Sequence, residues 1–157
     1  MLVLILTNSL KENNGWSIVS KNLIKNLNFY KPYYFSYDQN VIIPEKLRST
    51  RQDFFITLIH IIDLLIIIFR FNNKPDVIHC NCETFAVLAW FLSKLYNRPY
   101  TITAHGTYSI LFPKSSFLYK QAFRNASRVL AVSKYTKKQI LDSNIRCNVK
   151  VINPGVN

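Results

Sequence analysis

The chain is 157 residues long, 49% hydrophobic and 14% aromatic, and carries 20 Lys and Arg against 8 Asp and Glu for a net charge of +12. That length suits one domain burying roughly 70% of the surface its unfolded chain exposes, and so apolar a composition excludes disorder. Three cysteines are an odd number in a chain this long, which excludes a small disulfide scaffold and fits a reducing cytoplasm.

Met1 leads straight into the apolar run Leu2–Thr7 with no cationic stretch before it, which suits a first buried strand rather than a secretory signal. Ser17–Leu27 places Ile18, Leu23, Ile24 and Leu27 near helical spacing. Tyr33–Tyr37 and Val41–Ile43 read as short strands around a turn at Asp38–Asn40. Asp53–Phe71 is a long apolar helix. Its stretch from Phe54 would be about 27 Å long, close to the thickness of a hydrocarbon core. His60 and Asp63 in its middle argue against a span, because Asp costs several kcal/mol there. Burial against the sheet, shallow contact with a membrane or partner, and a span all stand as readings. The apolar face is wider than a sheet covers, so part of it is expected to stay exposed. Pro75-Asp76 punctuates before a buried strand at Val77–Cys80. A helix at Thr84–Tyr96 closes at Asn97-Arg98-Pro99, since proline disfavours helix in the residue before it. Strands at Tyr100–Ala104, Arg128–Val132 and Val149–Ile152 alternate with helices at Ser115–Asn125 and Lys134–Ser143.

Alternation with short connections, and strands that are continuously apolar, predict an α/β domain: a doubly wound parallel sheet flanked by helices, Rossmann-like. Ligands of such sheets bind at the carboxyl ends of the strands. The charge is uneven: residues 1–78 hold nine basic and six acidic residues, residues 79–157 eleven and two. Such an excess draws phosphates, from anionic lipid or a nucleotide-activated substrate, although ordinary solubilising charge is the blander account. The basic residues stand singly apart from Lys137-Lys138 and no nucleic-acid motif appears, so nucleic acid is not an expected partner.

The three glycines all fall in loops beside strands. Asn14-Gly15 follows the first strand, and its loop either presents backbone N–H groups to a phosphate or is a plain turn. A full G-x-G-x-x-G is absent. His105, with Gly106 and Thr107 after it, comes directly off the end of a strand. A titratable imidazole there is suited to hydrogen bonding or proton exchange in the ligand crevice, or is structural. Asn81 and Glu83 follow another strand, where they either hold a polar substrate or cap the next helix. Cys80 and Cys82 lack a second pair at zinc spacing, so no metal is expected. Ser133 and Lys134 open a helix, where the serine is an N-cap and the same helix start suits an anion.

Five segments in this order resemble the N-terminal domain of the retaining GT-B glycosyltransferases related to glycosyltransferase family 4. They are Leu2–Thr7 with Gly15; residues 75–79; Pro99 to Gly106; Ala126 to Ser133; and Val151 to Asn157. The resemblance implies one half of a two-domain clamp, residues 1–157 being a single acceptor-side domain. A hinge at about 153–157 would lead to a donor-binding C-terminal domain absent from this chain. It implies that His105 is the active-site histidine contacting the transferred sugar or its leaving group, and that Ser133 lines the cleft. Asn14-Gly15 stands where the family often has two glycines near the donor diphosphate. The expected activity is metal-independent, cofactor-free transfer from a nucleotide-sugar co-substrate to a glycan or lipid-linked acceptor, as in polysaccharide biosynthesis. Alone, the chain is expected to be inactive, being either truncated or the partner of a separate donor-binding subunit. The expected location is cytoplasmic, peripheral at the inner face of an anionic membrane. The alternative is a non-catalytic, membrane-associated scaffold subunit of a bipartite transferase. Acceptor choice would lie in Lys31–Arg51 and Tyr108–Lys120.

Overall fold

In the computed structural model, which describes residues 1–8, 10, 15–27, 31–37, 50–71, 73–106 and 116–152, the leading apolar run becomes strand β1 (Leu2–Asn8). Asp76 fastens its start: the Leu2 N–H donates to Asp76 Oδ2 at 2.8 Å while the Asp76 N–H donates back to the Leu2 carbonyl. The Pro75-Asp76 punctuation is therefore also a clamp between distant segments. Helix α1 (Gly15–Asn26) leads to edge strand β2 (Lys31–Tyr37), and α2 (Thr50–Arg70) crosses to β3 (Val77–Cys80). A 3₁₀ turn (Glu83–Phe85) runs into α3 (Ala86–Tyr96), followed by β4 (Tyr100–Ala104), α4 (Phe117–Asn125), β5 (Arg128–Ala131), α5 (Lys134–Asp142) and β6 (Val149–Val151).

The six strands form one sheet in the order β2-β1-β3-β4-β5-β6, and every adjacent pair is parallel. This is the expected doubly wound α/β architecture. Strand limits differ from the sequence reading by a residue at β5 and β6, yet the ladder continues there: Val132 N–H donates to Ala104 O and Ile152 N–H to Ala131 O. The expected helix at Thr84 starts as a 3₁₀ turn instead. The predicted strand Val41–Ile43 and the hinge at 153–157 lie outside the described residues.

Register makes the two sheet faces unlike. Leu4, Leu6, Ile78, Cys80, Ile102, Val129 and Ala131 point to one face and join the buried core under α2, α3 and α4. Fully burying one such Ile or Leu is worth about 1.5–3 kcal/mol. Ile5, His79, Thr101, Thr103 and Arg128 share the opposite face, where α1 packs on β1. There the His79 Nδ1 lies 2.8 Å from Thr101 Oγ1, and Nε2 lies 3.3 Å from Thr103 Oγ1. Enclosure by these neighbours lowers the His79 pKa to about 4.

Helix α2 is turned opposite to a surface helix. Its inward line is His60, Asp63 and Ile67, all buried, with His60 Nδ1 3.3 Å from Asp63 Oδ2. Burial pushes both groups toward their neutral forms, His60 down to about 4 and Asp63 up to about 7. Its outward line is Leu58, Ile61, Ile62, Leu65 and Phe69, all exposed, the last at 82%. The expectation that apolar surface stays open on this helix holds. No helix among the described residues is long and apolar enough to cross a membrane.

Candidate functional site

Register brings the carboxyl ends of β1, β3, β4 and β5 side by side, and the predicted site residues follow from there. At the end of β3, Asn81 keeps to the ladder: its N–H donates to Leu6 O at 2.8 Å. Its side-chain Nδ2 donates to Ser20 Oγ on α1 at 2.7 Å, and Ser20 Oγ lies 2.6 Å from Thr7 Oγ1 on β1. All three residues are buried, so a polar net ties α1 to both strand ends. A buried amide left without such partners would be destabilising by about 1–3 kcal/mol.

His105 stands just beyond β4. Its Nε2 lies 2.9 Å from the Asn81 carbonyl oxygen. A carbonyl only accepts, so Nε2 carries a proton and donates it here. Gly106 follows with φ +133°, a backbone conformation that L side chains rarely adopt. The carboxylate of Glu83 reaches across from the 3₁₀ turn: its Oε1 accepts the N–H of His105 and, at 3.2 Å, that of Gly106. Glu83 is fully buried, so its carboxylate serves the neighbouring strand end rather than solvent or its own helix.

At β5, Ser133 caps α5, its Oγ accepting the Thr136 N–H at 3.0 Å. Lys134 is exposed at the first position of that helix. Thr136 Oγ1 would lie 4.0 Å from a Cβ placed on Gly106, so the α5 start and the His105 turn adjoin. Gly15 is the first residue of α1 rather than a loop residue before it. Asn14 and Thr107 lie outside the described residues. The structure thus brings Asn81, Glu83, His105, Gly106 and Ser133 to one sheet edge. The parts that sequence reading missed are Thr7 and Ser20, whose bond spans two elements, and the target of the Glu83 carboxylate. Nothing local in the sequence signals those pairings.

Burial pushes the Cys80 thiol well above its ordinary range; its Sγ donates to Cys82 O at 2.7 Å. Among the described residues no three His, Cys, Asp or Glu side chains gather as a cation site.

Solved structures that share this architecture include the three that follow. The Anabaena protein Alr3699/HepE in complex with UDP has 15% identity and a TM-score of 0.57, covering 100% of this chain and 45% of that one. The lipopolysaccharide outer core galactosyltransferase WaaB in its apo form has 13% identity and a TM-score of 0.56, covering 96% and 45%. Arabidopsis thaliana UGT89C1 complexed with UDP-L-rhamnose has 10% identity and a TM-score of 0.54, covering 99% and 52%. At such identities the likeness is one of fold, and the chain spans about half the length of these proteins. A search of curated proteins gave no match. The sequence profile of Glycosyltransferase Family 4 matches residues 26–157, most of the chain, and the protein therefore belongs to that family.

Proposed function

We propose that this domain is the acceptor-binding N-terminal half of a glycosyltransferase, moving a sugar from a nucleotide-sugar to a glycan or lipid-linked acceptor. The observation that carries the reading is the fixed imidazole of His105 at the carboxyl end of β4, oriented by the Asn81 carbonyl. An imidazole fixed at that strand end is suited to hydrogen-bond a sugar or acceptor hydroxyl. Family membership supports a transferase, and two of the similar structures carry UDP or a UDP-sugar. In this reading a donor-binding domain faces the same edge and stabilises the donor phosphates, while Ser133, Lys134, Gly106 and Thr107 line the shared cleft. Asn14 and Gly15 approach the diphosphate. Transfer is retaining and needs neither metal nor cofactor, and polysaccharide assembly at the inner face of a membrane is the setting.

The test is nucleotide release from a panel of nucleotide-sugars, with the donor-binding half supplied in cis or in trans. Turnover that appears only with both halves supports the reading. A His105→Ala protein retaining the full rate removes its central residue.

The second reading, a non-catalytic membrane-associated subunit, is favoured by the outward apolar line of α2 in a chain of net charge +12. Sedimentation with vesicles, with and without anionic lipid, separates the two. Binding that salt abolishes would assign it to charge alone.

A further inference from the structure

Glu83 is the one carboxylate at the site edge among the described residues, and its placement is unlike that of a helix cap. The side-chain helix caps among the described residues are serines, Ser116 and Ser133, each accepting an N–H of its own helix. Glu83 Oε1 instead accepts two successive N–H groups from another strand's end, those of His105 and Gly106. The residue is 0% exposed, and its Oε2 is buried with no hydrogen-bond partner among the described residues. No cation among the described residues pairs with it. Taking a carboxylate out of water is destabilising by several kcal/mol, offset in part by hydrogen bonds from backbone N–H groups. A group held in that way merely to stabilise the fold would be better replaced by an apolar side chain.

The bonds close a small ring. His105 Nε2 donates to the carbonyl of Asn81, two residues before Glu83, while the His105 N–H donates to Glu83 itself. Imidazole and backbone of one residue are thus tied to both ends of the Asn81–Glu83 segment. The second N–H, from Gly106, is held with φ at +133°, a turn that other loop conformations would relax.

We infer that Glu83 is a positioning residue that clamps the His105–Gly106 turn and thereby sets the tautomer and direction of the His105 ring. Being fully buried, it acts through His105 rather than on substrate. The inference rests on the reading of His105 as the site histidine, and it has a readout independent of sugar transfer.

Long-range 1H–15N correlation spectra of the full chain distinguish the two neutral tautomers, and with three histidines present His105 is readily assigned. The wild-type protein is expected to show the proton on Nε2. Glu83→Ala should give a mixture of tautomers and exchange the Gly106 amide at least about tenfold faster. Glu83→Asp keeps the charge but is too short to reach both N–H groups, and should do the same if the alanine variant fails to fold. Glu83→Gln retains an oxygen at the Oε1 place and should keep the wild-type tautomer. With the donor half supplied, the alanine or aspartate variant should lose about a hundredfold in kcat while KM for the nucleotide-sugar moves less than about threefold, with glutamine restoring most of the rate. An unchanged tautomer and unchanged Gly106 exchange in the alanine or aspartate protein overturn the inference whatever happens to transfer. Tautomer loss in a protein set that never transfers sugar upholds the clamp and discards the transferase reading.

Discussion

Gly106→Ala offers a direct measure of how firmly the site turn is held. Among the described residues, a Cβ at this position meets Thr136 Oγ1 at 4.0 Å, an ordinary van der Waals contact. The penalty comes from the backbone, because φ +133° is strained for any residue with a Cβ. Such strain is worth about 1–3 kcal/mol, and the lower entropy of an unfolded chain with alanine returns about 0.4–1 kcal/mol. The net loss is then about 1.5 kcal/mol. With a urea slope of about 2 kcal/mol/M, the unfolding midpoint should fall by roughly 0.7 M at unchanged slope. The same substitution in a Glu83→Ala background should be milder by at least about 0.5 kcal/mol, since the N–H that enforces the turn is already released. Equal or higher stability in Gly106→Ala would refute the reasoning, for it would mean the turn relaxes freely to a conformation alanine accepts.

His79, lowered from 6.5 to about 4 by burial, should make stability fall in acid. The unfolded chain takes the proton first, so the contribution is complete above the unfolded value and is lost as pH drops from about 6.5 toward 4, by roughly 3 kcal/mol. His79→Asn should flatten that limb by about one proton in urea titrations run at several pH values. An unaltered slope would exclude His79 as its source. Asp63, raised to about 7, has the opposite sign between about 4 and 7 and is common to both proteins, so it cancels in the comparison. Ser133→Ala should destabilise by about 1 kcal/mol through loss of the α5 cap, and Ser133→Asp much less, read by thermal melting. Equal losses in the two would deny the cap role. Tyr100→Phe removes the buried hydroxyl that donates to Ala122 O and should be destabilising by about 0.5–1.5 kcal/mol, with no effect on the His105 tautomer.

Strands β3 and β4 were legible in the sequence to the residue, because each is a short apolar run closed by strong punctuation. Pro75-Asp76 opens the first, and Asn97, in the left-handed conformation at φ +52°, ends α3 ahead of the second. The orientation of α2 was not legible. Its polar residues His60 and Asp63 are one turn apart, which puts them on one face but does not say whether that face turns inward, and here both are buried. At the site, His105 and Gly106 stood out because a strand end and a scarce glycine are local signals. The bonds that orient them were hidden for a different reason. Asn81 to Ser20 and Glu83 to His105 join residues 61 and 22 positions apart, and only the parallel register brings such partners together.

Cys80 and Cys82 are both buried, and Cys80 donates its thiol proton to the Cys82 carbonyl within the Asn81–Glu83 segment. An alkylating reagent can reach them only when that strand end opens, whereas Cys147 is only partly enclosed. The protein therefore carries its own clock: the delay between labelling at position 147 and labelling at 80 and 82 times how often the crevice floor comes apart, with no foreign probe attached.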